Sequence, residues 1–173
     1  MFGHIAQMPQ ILEQARLLPA ILWRGVNPEH SIFDWVGLDG TSVETLHLTK
    51  GYGLPGFFLE KEKQQVSLSE YLEANLLKSP IKTVLLQPNG DDHMCLPENV
   101  TVLYEQFNRS QERFFLQDAR IQDYLAALHP RTFENESIVG ELRDPSHAYI
   151  LPGVLSTRVY LKQWNDRLQC RLE

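Results

Sequence analysis

The sequence has no long apolar run, almost no cysteine and no excess of positive charge, and each shortage removes a class of function. No stretch approaches the roughly 20 consecutive apolar residues that cross a bilayer. The opening Met1-Phe2-Gly3-His4 lacks the basic-then-apolar pattern of an export signal. Only two cysteines occur, Cys95 and Cys170, with no Cys-x-x-Cys pair. They read as reduced thiols, and the cytoplasm is the expected compartment. The Asn-x-Ser/Thr sequons at Asn99, Asn108 and Asn135 are therefore read as chance matches. With a net charge of −6, and with Lys61 and Lys63 interleaved with Glu60 and Glu62, the chain offers no basic footprint for nucleic acid or an anionic membrane. Repeats and low-complexity tracts are absent too.

What remains is a chain of 173 residues, 43% hydrophobic, long enough for one core. Its elements alternate. Pro9 suits the first turn of a helix whose Ile11, Leu12, Ala15 and Leu18 share a face, and Pro19 stops it. Ala20-Ile21-Leu22-Trp23 then reads as a strand buried on both faces. Phe33–Val36 and Val43–Leu48 read as strands joined at Asp39-Gly40. Gly51-Tyr52-Gly53-Leu54-Pro55-Gly56 reads as a loop.

Ser67-Leu68-Ser69-Glu70 is a capping box opening a helix with Leu68, Tyr71, Leu72 and Leu76 inward, ended by Pro80. Thr83-Val84-Leu85-Leu86 and Arg113–Leu116 are predicted as strands. Helices are expected from Pro97 to Asn108, from an Asp118 cap to Leu128, and from Gly153 to Leu168, where Val154, Leu161, Trp164 and Leu168 share a face. Residues 130–152 read as irregular. Strand and helix in alternation predict an α/β fold with a mainly parallel sheet over 1–142, then the start of a helical domain over 143–173.

In such sheets functional groups gather where strands end. Arg24-Gly25, Gly51-Tyr52-Gly53 and Gly90-Asp91-Asp92-His93 qualify. In the third, apolar walls beside the strand end would raise a carboxyl pKa and make a general acid; the competing role for Asp91 or Asp92 is to cap a turn. A metal cluster of Asp91, Asp92, His93 and Cys95 is disfavoured, because neighbours in an extended loop point apart. Arg24 either answers a carboxylate such as Asp34 or faces substrate, and Tyr52 either stacks on a sugar or packs. His4 and His147 read as hydrogen-bonded structural residues.

Five segments, in order, resemble glycoside hydrolase family 38 α-mannosidases: Phe2-Gly3-His4 with Gln7-Met8-Pro9-Gln10-Ile11-Leu12; Ile21-Leu22-Trp23-Arg24-Gly25-Val26; the Phe33–Thr41 hairpin; Leu86–His93; and Leu151-Pro152-Gly153-Val154-Leu155-Ser156-Thr157-Arg158. The resemblance implies a partial α/β barrel and a zinc-dependent, retaining reaction on terminal α-mannosides or their oligosaccharides. By matching position Asp92 becomes the acid/base and Asp91 its neighbour, while Arg24 and Tyr52 fall near the sugar. The family's nucleophile and its His-x-Asp zinc pair would precede Met1. A fourth zinc ligand aligns with Tyr149, or with His147 in a shifted register. The resemblance therefore implies a part of an enzyme, completed by portions on both sides, inert alone and weak for zinc. The other reading is a non-catalytic α/β protein that uses the scaffold for binding or assembly.

Overall fold

The computed structural model describes residues 3–51, 67–90, 92–128, 133–151 and 158–172. Asp91, the loop from Tyr52 to Gly56 and the segment 152–157 lie outside the described residues. Helix α1 (Met8–Gln14) carries Pro9 in its first turn, where the missing N–H forfeits no bond. Strand β1 (Ala20–Leu22) lies parallel beside β3 (Ser42–His47), with Ala20 opposite Thr45 and Leu22 opposite His47. Strand β2 (Ile32–Val36) pairs antiparallel with β3, Phe33 facing Thr45 and Trp35 facing Val43.

The turn of this hairpin closes as its sequence requires. Gly37 N–H donates to Thr41 O at 2.8 Å, and Gly40 takes a φ of 84°. The Asp39 carboxylate accepts from the Thr41 N–H at 3.0 Å and from its hydroxyl at 2.8 Å. Strand β4 (Ser137–Val139) lies parallel on the far side of β2, giving the order β1-β3-β2-β4. Two of the three pairings are parallel, so the sheet is the mainly parallel one expected of an α/β chain.

Period-two alternation divides the core between the faces of this sheet. Leu22, Val26, Phe33, Trp35 and Leu142 form one cluster, against which Met8 and Leu12 of α1 pack. Ile32 and Leu46 turn the other way, onto Tyr124 and Leu128. These come from helix α4 (Ile121–Ala127) and the residue after it. Between β3 and α4 lie α2 (Leu68–Lys78) and α3 (Val100–Ser110). The capping box on α2 is present, with Glu70 N–H donating to Ser67 Oγ at 3.2 Å and Ser67 N–H to Glu70 Oε2 at 2.8 Å. Among the described residues β1 has a strand on one side only, and a cavity of about 500 Å³ opens there between α1 and β1, lined by Met8, Leu18, Ile21 and Trp35 among others.

Several expected elements differ. Thr83–Leu86 belongs to no strand of the sheet, although Val84 and Leu86 do pack on the second cluster. A short apolar run reports packing, and packing here comes without a ladder. Arg113–Leu116 is not a strand either: Arg113 pairs with Glu73 at 2.8 Å, Phe115 is 74% exposed, and the Leu116 backbone bonds the Asn108 carboxamide. Helix α4 starts at Ile121 instead of after an Asp118 cap, because Asp123 accepts from the Arg120 N–H at 2.9 Å. Strand β4 lies inside the stretch read as irregular. Helix α5 (Val159–Leu172) leaves its expected inward residues Leu161, Trp164 and Leu168 exposed. No helix among the described residues is long and apolar enough to cross a membrane.

Candidate functional site

The parallel strands β1 and β3 end side by side, and the residues just beyond them form the candidate site. Trp23 and Arg24 follow β1; Thr49 and Gly51 follow β3. Gly51 has a φ of 70°, and a Cβ there would stand 2.8 Å from Trp23 Cε2. Glycine thus lets the backbone rest directly on the indole. The Arg24 guanidinium lies over the Trp23 ring, Cζ 3.9 Å from its centroid, and its Nη1 donates to Tyr149 O at 2.7 Å. Asp34, the carboxylate named as a possible partner for Arg24, accepts from Asn135 Nδ2 through Oδ1 at 2.8 Å.

A strap from Leu142 to Ile150 crosses these strand ends. It is bridged to His4 through Leu142 and to Gly25 through Asp144, with Asp144 N–H donating to Gly25 O at 2.9 Å. A Cβ on Gly25 would meet Leu142 O at 2.5 Å, so only glycine admits this approach. Asp144 accepts from Ser146, which holds its carboxyl below the usual range.

Two histidines lock the strap and the strand ends from inside. His47, 5% exposed, places Nε2 3.0 Å from Trp23 O. Burial, with His147 and Lys78 adding charge nearby and the bond to Trp23 O opposing, pushes it down from 6.5 to about 4. The ring is therefore neutral at pH 7 and donates through Nε2. His147 stands edge-on to it, centroids 4.9 Å apart, with Nε2 2.6 Å from Thr49 O. The sequence signals neither His47 nor Trp23 as a site residue.

The expected site residues divide into two groups. Arg24 and His147 meet at the ends of β1 and β3. Asp92 lies in an exposed turn, followed by His93 at a φ of 61°. Asp91 and Tyr52 are outside the described residues. The two groups communicate through buried side chains: the Thr49 hydroxyl donates to Asn75 Oδ1 at 2.9 Å, and Asn75 Nδ2 donates to Gln87 Oε1 at 2.7 Å.

The described residues do not fit a zinc site by themselves. His147 has its Nε2 against a carbonyl, and no three His, Cys, Asp or Glu side chains among the described residues gather to hold a metal.

No family model matches the chain. A protein named "Putative mannosylglycerate hydrolase", from Halalkalibacterium halodurans, is 29% identical over 192 residues, which take in 99% of this chain and 21% of that protein. A crystal structure of an alpha-mannosidase from Enterococcus faecalis V583 matches with a TM-score of 0.70 and 25% identity, covering 100% of this chain and 21% of the other. The chain spans about a fifth of each. In sequence and in fold, from end to end, this chain resembles part of a family 38 α-mannosidase.

Proposed function

We propose that these residues form part of a retaining α-mannosidase, contributing its acid/base carboxylate and part of its sugar-binding wall. The observation that supports this most is the end-to-end match to an alpha-mannosidase at a TM-score of 0.70. The substrate class is a terminal α-mannoside. The name of the H. halodurans relative adds mannosylglycerate to the candidate substrates.

Retention requires two carboxyl groups about 5–5.5 Å apart, one attacking the anomeric carbon and one protonating the departing oxygen. Asp92 takes the second role. Its exposed turn gives a leaving group access, and once the sugar is attached to the nucleophile the same carboxylate deprotonates the incoming water. The nucleophile comes from chain outside these 173 residues. Arg24, fixed against Trp23 and Tyr149 O, presents a cation at the strand ends, where it steadies sugar hydroxyls. Zinc is the cofactor of the family reading, and its donors would come mainly from the same outside chain.

The test is hydrolysis of an aryl α-mannoside. The 173-residue chain should give no turnover, and the chain extended by its own upstream and downstream coding sequence should give it. In the extended enzyme Asp92→Ala should lower the rate by about 10²–10⁴ on poor leaving groups, and by less on activated ones. Full activity after Asp92→Ala would remove the assignment, and an extended protein that cleaves no α-mannoside would remove the reading.

A further inference from the structure

The end of β3 and the loop that carries Asp92 are joined through one buried carboxamide. Asn75 sits on the inner face of α2, 3% exposed. A buried carboxamide is costly unless its acceptor and donors are engaged. Here the acceptor takes the Thr49 hydroxyl at 2.9 Å, and a donor reaches Gln87 Oε1 at 2.7 Å. Gln87 then spends its own Nε2 on the Tyr71 hydroxyl at 3.3 Å and on Pro88 O at 3.2 Å. Tyr71 is one helical turn before Asn75 on the same face. Two residues past Gln87, Asn89 Nδ2 donates to the Tyr104 hydroxyl of α3. Asp92 follows three residues later.

This loop lies outside the named strands, and described side-chain bonds tie it to the end of β3. Asn75 bonds both Thr49, two residues past β3, and Gln87 in the segment leading to Asp92. An apolar residue at this helix position would fill the same space and leave Thr49 and Gln87 without their shared partner. Tyr71, which also hydrogen-bonds Asn75, would keep its hold on Gln87.

We propose that Asn75 is a positioning residue that holds the Gln87–Gly90 segment, which leads to Asp92, in register with the end of β3. This rests on the reading of Asp92 as the acid/base, and through that group it sets where the proton is delivered. A misplacement of about 1 Å in a reacting group costs about 10²-fold in rate, which is the scale to expect.

Two measurements test it. The first needs no activity. In the 173-residue chain, Asn75→Ala and Gln87→Leu should each lower backbone ¹⁵N order parameters over Gln87–Asp92 from about 0.85 towards 0.6, leaving α1 and the β2–β3 hairpin unchanged. Unaltered order in that loop in both variants would overturn the proposal. Gln87 lies outside every helix and strand, so its variant still decides the question if Asn75→Ala does not fold.

The second measurement uses the extended enzyme. Both single variants should lower kcat on a poor leaving group by about 10²-fold with KM within about twofold. Activated leaving groups should lose far less, and the basic limb of the pH–rate profile should move. Because both changes remove one bond, the double variant should lose no more than the worse single. Equal losses on both kinds of leaving group, or additive losses, would make Asn75 merely structural. If the extended enzyme cleaves no mannoside, the reading of Asp92 fails while the order parameters still decide the coupling.

Discussion

The ends of β1 and β3 and the loop bearing Asp92 are built by different means, though both serve one candidate site. The first region hangs from sheet ladders, two strap bridges, a backbone-to-indole contact at Gly51 and two histidines on carbonyls. The second is placed by carboxamides and a phenol, with apolar anchors at Val84 and Leu86 behind it. A ladder spreads its restraint over many backbone groups, whereas a carboxamide chain transmits it through single bonds. The first region should therefore answer to changes in packing and protonation, and the second should tolerate changes that do not touch its few bonds.

The largest expected contrast is in the core. Trp35 is fully buried, and its indole N–H donates to Gly140 O at 2.8 Å. Trp35→Ala should cost about 3–5 kcal/mol in chemical denaturation, and Phe115→Ala, beyond the Asp92 loop, within about 0.5. Comparable losses would show that the two regions are equally packed.

Next comes acid. His47 has a folded pKa of about 4 against a usual 6.5, so between those values the unfolded chain binds more protons. Its contribution is complete above pH 6.5 and lost as pH falls towards 4, on the order of 3 kcal/mol for this group. Denaturation midpoints measured across that window should fall steeply, and His47→Gln should flatten the slope. An unchanged slope would mean that His47 titrates freely in the folded chain.

The two loop glycines give the finer contrast. Gly51→Ala forces a methyl against Trp23 at positive φ and should destabilise by about 1–3 kcal/mol. Gly90, two residues before Asp92, has nothing within 4 Å of a new Cβ. Gly90→Ala should be the smallest effect, neutral or stabilising by about 0.4–1 kcal/mol through the unfolded state. Thermal melts of the pair would erase the comparison if Gly90→Ala proved the worse.

Local chemistry made much of the fold legible. Pro9, the Asp39-Gly40 turn, the Ser67 capping box and the β1–β3 strand residues all carry signals that act within a few residues. Strand β4 does not: three residues long, it exists because Asp34 pairs with Ser137 and Val36 with Val139, about a hundred residues away. Thr83–Leu86 errs in the opposite direction, since a short apolar run resembles a strand whether or not a neighbour pairs with it. Asn75 had a readable sign. It falls on the stripe of Leu68, Tyr71, Leu72 and Leu76, and a carboxamide on an inward stripe announces a buried bond. The partner at the other end could not be read, because Gln87 and Thr49 meet only in three dimensions.

The three tryptophans sit in three settings, and this gives the chain an internal set of optical reporters. Trp35 is sealed in the core, Trp23 lies beneath the Arg24 guanidinium at the strand ends, and Trp164 is 64% exposed on α5. An ionic collisional quencher reaches Trp164 first and Trp35 only on global unfolding. Quenching therefore separates fraying of the last helix from loss of the sheet. Emission from Trp23, with a cation on its ring, should respond when an anionic or sugar ligand draws Arg24 away, so occupancy at the strand ends can be followed by fluorescence without any turnover.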